Sequence, residues 1–262
     1  MQVRCGVAEP RDRNRGNGRR RPSRPRDAGG NSDRRDSSQR STPPKRRPWS
    51  PEGDLPKWIS EELARLTPKK NIPAATELLQ TSARAFAAGK HGRALQAAEE
   101  AKELSPRDPT IRELIGLSAY RMSRWEQALR ELRTFRRLTG DATHLPVEMD
   151  VLRALERPKD VEAAWKLLKG LRSDRETQDE GRVVYGSFLL DRGEDRKAWQ
   201  VTNPKRITDD PRESELRVWY VAARAAARLE DRKTAQQLLD AIRGTDPAFP
   251  GLGELERAVE GP

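Results

Sequence analysis

A pair of amphipathic helical segments recurs along this chain, and few folds can absorb such a recurrence. The clearest copy is residues 108–140, D-P-T-I-R-E-L-I-G-L-S-A-Y-R-M-S-R-W-E-Q-A-L-R-E-L-R-T-F-R-R-L-T-G. Leu114, Ile115, Leu117 and Tyr120 give its first helix apolar places at helical spacing. Asp108 is placed to cap that helix, with Pro109 as first helical residue. Ser123 is expected to open the second helix, with Glu126 three residues later completing a capping box. Gly140 is expected to end it in the left-handed conformation that glycine adopts without steric cost.

Four more pairs follow the same plan. Residues 74–88 and 93–104 precede it, broken at Gly89-Lys-His91-Gly92 and closed by Pro106. After it come 145–156 with 161–171, 180–190 with 194–201, and 214–229 with 232–242. A small residue early in each second helix sets the register at Ala94, Ala128, Ala164, Ala198 and Ala235. Small residues at Ser82, Gly116, Gly186 and Ala223 face them from the first helices, and Leu152 departs from the pattern. One hairpin cannot bury its own apolar stripe, so stacked neighbours must share a continuous core. The expected fold is all-α: a right-handed α-solenoid of about five helix-turn-helix repeats over 74–250. Short capping helices are expected at 54–66 and 252–259, within flanking segments 54–73 and 251–262, and residues 1–53 form a basic tail.

The pattern resembles the tetratricopeptide repeat family, whose 34-residue unit carries large, small, small, apolar and Pro places in that order. Ile115, Gly116, Tyr120, Ala128 and Phe135 match in the second pair. Trp219, Ala223, Ala235 and Pro247 match in the fifth, and Gly89, Ala94, Ala101 and Pro106 in the first. The third and fourth pairs are degenerate, and Asn203-Pro204 clips the fourth. Another helical-pair solenoid is the alternative. The resemblance implies a concave face, lined by first helices, that holds a protein or peptide partner. Its places here would be Leu79, Ala83 and Phe86; Glu113, Leu117, Tyr120 and Arg121; then Met149, Arg153 and Arg157. Val183, Ser187 and Leu190 follow, and then Tyr220, Arg224 and Arg228. Arginines gather in the third and fifth groups, which suits a helix or an acidic, apolar peptide. Leu79, Ala83, Glu113 and Leu117 stand where chaperone-tail-binding members present Lys and Asn, so a clamp for chaperone C-termini is not expected.

Charge is uneven. The chain has formal net charge +11, but residues 1–48 hold 14 Arg, 1 Lys and 5 acids, and the rest is nearly neutral with 37 bases and 36 acids. Arg outnumbers Lys 40 to 12, which fits a GC-rich genome and a bacterial source. The first segment lacks the apolar residues that could offset the entropy of ordering it. Arg19, Arg20, Arg21, Arg24, Arg26, Arg34, Arg35, Lys45, Arg46 and Arg47 could neutralise RNA or DNA phosphates. With no aromatic before Trp49, such contact would be electrostatic and blind to sequence. A solubilising tail is the other reading.

Catalytic groupings are missing from the pattern. Cys5 is the only cysteine, so no internal disulfide can form, in keeping with a reducing compartment. No apolar run approaches the roughly 20 residues of a membrane helix, and no signal-peptide core precedes the arginines. A cytoplasmic protein is expected. His91 falls where Trp125 stands one pair later, and reads as packing. His144 reads as a cap or surface group beside Thr143 and Asp141. Neither has a second ligand at zinc spacing. No phosphate loop or nucleophile elbow occurs. Trp165 and Trp199 lie 34 apart, implying equivalent places in successive second helices. The composition therefore points to a scaffold without cofactor, metal or catalytic residue: either a partner-holding array tethered to nucleic acid by the arginine arm, or an adaptor acting through protein contacts alone.

Overall fold

Five turns in this protein are built alike, and they position everything else. The computed structural model describes residues 55–260, so the arginine arm of 1–53 lies outside the described residues. In each turn one residue takes a left-handed conformation, φ between 55° and 69°: Gly89, Ser123, Glu156, Gly193 and Glu230. Its N–H donates to the carbonyl three residues back, at Phe86, Tyr120, Arg153, Leu190 and Ala227. The next N–H donates to the carbonyl five back, at Ala85, Ala119, Leu152, Leu189 and Ala226. This pair of bonds ends a helix by satisfying two of its orphan carbonyls. A new helix starts two residues after the left-handed one.

The hairpins so formed are α2 (Ile72–Ala87) with α3 (His91–Leu104), and α4 (Pro109–Arg121) with α5 (Trp125–Thr139). Next are α6 (Leu145–Ala154) with α7 (Pro158–Gly170), and α8 (Arg175–Asp191) with α9 (Asp195–Thr202). The last is α10 (Glu213–Arg228) with α11 (Arg232–Thr245). Before them lies α1 (Lys57–Leu66) and after them α12 (Leu252–Glu260). Among the described residues there is no strand, and no helix is long and apolar enough to cross a membrane.

Local chemistry explains many boundaries. Asp108 accepts from the Ile111 N–H at 2.9 Å and Pro109 is first in α4, as expected. Asp174 and Asp231 cap α8 and α11 in the same way. Gly140 closes α5 at φ 69°. Asn203-Pro204 stops α9 after two turns. The Ser123 capping box does not form: Ser123 is the left-handed residue ending α4, Arg124 precedes α5, and no side chain caps it. His91 and Gly92 fall inside α3 rather than in a break.

The turns also correct the register. The fourth residue of each second helix donates to the carbonyl just before that helix: Ala94, Ala128, Val161, Ala198 and Ala235. Seven residues before each left-handed position stand Ser82, Gly116, Met149, Gly186 and Ala223. The third hairpin therefore has Val161 and Met149 where Ala164 and Leu152 were expected. Both are fully buried. The expected equivalence of Trp165 and Trp199 fails for the same reason: Trp165 is the eighth residue of α7, Trp199 the fifth of α9.

Close approach needs the glycines at two of these places. A Cβ on Gly116 would stand 2.7 Å from Leu132 Cδ2, and one on Gly186 would stand 2.5 Å from Thr202 Cγ2. Such separations lie far inside ordinary carbon contact of about 3.5–4.0 Å.

Helices pack mainly on chain neighbours, and α2 on α4, α6 on α8, α8 on α10 and α10 on α12. The apolar clusters follow chain order. One joins Ile59 and Leu63 of α1 to α2, α3 and α4; another joins Leu255 and Val259 of α12 to α10 and α11. Two more fill the middle, around Leu152 and Leu189 and around Met149 and Trp165. Both terminal helices thus cover apolar faces of their neighbours.

Buried carboxylates tie successive elements together. Glu131 of α5 is 1% exposed and meets Arg112 at 2.6 Å, Arg130 at 3.3 Å and Lys102 at 3.5 Å. Burial pushes the Glu131 carboxyl up, but hydrogen bonds and charge from Arg112, with Lys102 and Arg130, hold it below the ordinary range. Glu148 of α6, equally buried, takes a two-point contact from Arg136 at 2.9 and 3.1 Å. Asp179 of α8 accepts from Arg212 at 3.1 Å and Ser214 at 3.2 Å across the approach to α10. A buried carboxylate left without its arginine is strongly unfavourable, so each clamp constrains how one hairpin meets the next.

Candidate docking cleft

First helices α4, α6 and α8 border a cleft of about 500 Å³. Among neighbouring first helices, α4 and α6 meet less closely than the others. The segment between Gly140 and Leu145 lies at the resulting opening and contributes Asp141, Thr143 and His144. The apolar part of the lining includes Trp58 from α1, Leu117 from α4, Val147 from α6 and Val184 from α8.

Polar groups in the wall are held in place. Tyr120 donates its hydroxyl to Asp150 Oδ2 at 2.7 Å. Burial, then that bond and the Asp150 charge, push the phenol up to about 12. Asp150 also meets Arg153 at 3.1 Å. His144 Nε2 lies 2.7 Å from Glu113 Oε1, and its ring is tilted on Phe135 at 5.1 Å between centroids. His144 stands at the N-cap position of α6, as expected, but its side chain makes no capping bond and is a part-buried group of the cleft wall. Asp141 accepts from the backbone and hydroxyl of Thr143, at 2.9 and 2.6 Å. Glu180 meets Arg217 at 2.6 Å. Burial nevertheless raises the Glu180 carboxyl; Arg217 opposes this, and Glu176 and Glu213 add to it.

The structure brings together part of the groove expected from sequence. Glu113, Leu117 and Tyr120 line this cleft. Tyr220, Arg224 and Arg228 line a smaller notch of about 320 Å³ between α10 and α12, with Glu254. The two sets do not meet in one hollow. Leu79, Ala83, Met149 and Leu190 are 0–1% exposed inside apolar clusters, so no partner can touch them. Phe86 packs on His91 at 5.3 Å, just as Tyr120 packs on Trp125 at 5.9 Å one hairpin later, which bears out His91 as a packing residue. Val183 packs against a core cluster, and Ser187 is half-buried. Arg121 and Arg157 are exposed.

Three of the arginines expected to face an acidic partner make contacts within the chain. Arg153 bridges Asp150 and Asp191, the latter at 2.8 Å. Arg228 donates to the Leu190 carbonyl and meets Asp195 at 3.3 Å. Arg224 lies over the Tyr220 ring at 5.9 Å. Among the described residues the lining has the opposite sign: its carboxylates are Glu113, Asp141, Asp150, Asp174, Glu176 and Glu180, and its basic residue is His144.

Sequence reasoning missed Trp58, Val147, Asp150, Val184, Glu176 and Glu180. Counting back from the left-handed residue finds two of the α6 places: the positions of Glu113, Leu117 and Tyr120 in α4 correspond to Pro146, Asp150 and Arg153 in α6. The signal was hidden because Glu156, not glycine, makes that turn. Among the described residues no group of three or more His, Cys, Asp or Glu is placed to hold a metal ion. Comparison with family models, curated proteins and solved structures finds no match to this chain.

Proposed function

We propose that the chain is a tetratricopeptide-like scaffold: a right-handed α-solenoid of five helical repeats that holds a protein or peptide partner without catalysing a reaction. The supporting observation is the set of five alike turns followed by helices in equal register, with a half-apolar cleft opening between first helices. Repeats of this kind share cores with their neighbours and leave one face for binding. The polar groups of the cleft favour docking over chemistry. Glu113, Tyr120, Asp150 and Glu180 are each held by a partner that fixes geometry.

The test places a photo-crosslinking residue at Val147, in the cleft, or at exposed Leu167 on α7, in the full chain inside its native cells. Discrete protein adducts from Val147 alone are expected. Adducts from neither site, or equally from both, refute a docking role for the cleft.

The arginine excess of residues 1–48 supports an added tether to RNA or DNA. Replacing Arg19, Arg20, Arg21, Arg24 and Arg26 by Ser should weaken salt-sensitive RNA retention in gel shifts of the full chain. Unchanged retention leaves the protein-only adaptor.

A further inference from the structure

We infer that the cleft between α4, α6 and α8 takes a partner segment that is cationic and apolar at once, with Arg or Lys side chains alternating with large apolar ones. This rests on the docking role proposed above and names the chemistry of the occupant. Size comes first: a hollow of about 500 Å³ accommodates several side chains. Its apolar lining offers Trp58, Leu117, Val147 and Val184, and covering such surface favours binding by roughly 25 cal/mol per Å². A purely polar ligand would leave that part unused.

Charge selects the rest. Among the sixteen described lining residues six are carboxylates and one is a histidine. Asp150 meets Arg153 and Glu180 meets Arg217. Asp141 takes its bonds from the neutral Thr143, and Glu176 is exposed in the first turn of α8. Burial raises the Glu180 carboxyl even with Arg217 at 2.6 Å, and Glu176 and Glu213 add smaller contributions in the same direction. An anionic segment or a nucleic-acid phosphate entering here would meet like charge. A cationic one gains Coulomb attraction inside a half-enclosed wall, where screening is weaker than at an open surface. The whole chain, at +11, repels a cationic peptide at long range, so measured attraction reports the local field. Residues 1–48 supply only half of this chemistry: before Trp49 their large apolar side chains are Met1, Val3 and Val7.

Three labelled peptides of about ten residues test this by fluorescence anisotropy on the full chain: alternating Arg-Leu, alternating Glu-Leu and alternating Arg-Ser. The Arg-Leu peptide should bind saturably and lose affinity as salt rises from about 50 to about 300 mM. The other two should bind at least roughly ten-fold more weakly. Glu176→Lys reverses an exposed charge and should cost the Arg-Leu peptide about ten-fold in Kd while the melting curve stays put. Leu117→Asn should weaken it without changing the salt slope. Equal or tighter binding of Glu-Leu, equal binding of Arg-Ser, or indifference to Glu176→Lys overturns the inference. So does a concentration-dependent dimer that excludes the peptide, because a second copy then fills the cleft. Adducts at Val147 together with no peptide binding would sink this partner class and leave the docking role standing.

Discussion

Replacing Gly116 by alanine sets two known effects against each other at one atom. Within a helix alanine is favoured over glycine by roughly 0.8–1.0 kcal/mol, so the change in α4 should stabilise if nothing stood near. The new Cβ, however, would lie 2.7 Å from both Cδ2 and Cγ of Leu132 and 3.3 Å from its backbone nitrogen. Leu132 is fully buried, and its Cγ and backbone nitrogen stand in the way as well as the tip of its side chain, so α4 and α5 must shift apart. Overpacking of this kind costs about 1–3 kcal/mol. The net expectation is a destabilisation of roughly 1 kcal/mol, with overpacking outweighing propensity. Gly244→Ala in α11 is the control, since a Cβ there meets nothing within 4 Å; it should stabilise by up to about 1 kcal/mol. Urea unfolding of both variants measures the difference, expected at about 1–3 kcal/mol from the two effects combined. Melting temperatures should separate by roughly 2–4 °C per kcal/mol. If Gly116→Ala stabilises as much as Gly244→Ala, the close approach of α4 to α5 is not what holds that hairpin together.

Met149→Ala makes the third hairpin resemble its neighbours in sequence, yet it should destabilise by about 2–5 kcal/mol, because α6 and α7 pack around the larger side chain; chemical denaturation showing no loss would restore the register read from Ala164. The Glu131 carboxyl is depressed in the folded state, so its contribution is present above the unfolded value and disappears as pH falls through the lower folded one. Glu131→Gln should therefore flatten the loss of stability seen in acid melts, and an unchanged acid slope would contradict the clamp with Arg112 and Lys102. The Tyr120 phenol, pushed up to about 12 by burial and Asp150, contributes stability that is present below about 10 and lost as pH rises through about 12. Burial also raises the Tyr185 phenol, so the Asp150→Asn variant identifies the Tyr120 phase in ultraviolet titration: that phase should move to lower pH, and an unchanged titration would remove the Tyr120–Asp150 bond from solution.

The extent and type of nearly every helix were legible in the residues alone, because periodicity, prolines and caps act over a turn or two. Asp108-Pro109 opens α4 and Asn203-Pro204 ends α9 wherever the rest of the chain lies. The turn at Glu156 was not legible. A left-handed conformation is cheap for glycine and costs other residues roughly 1–2 kcal/mol, so Gly89 and Gly193 announce their turns while Ser123, Glu156 and Glu230 do not. Those three adopt it because the helices on either side are packed in place, and the third hairpin's register shifted with that one unannounced residue.

The charge of the cleft was decided entirely by tertiary structure. Sequence placed Arg153 and Arg228 on first helices and counted them as free. Folding brought Asp191 and Asp195, each more than thirty residues away, within reach of them. It also gathered carboxylates from α4, α6, α8 and the segments before α6 and α8 around one opening. Local sequence determines where a chain turns helical because the helix is bonded to itself; which charges cancel and which accumulate depends on distances between helices, and those exist only after packing.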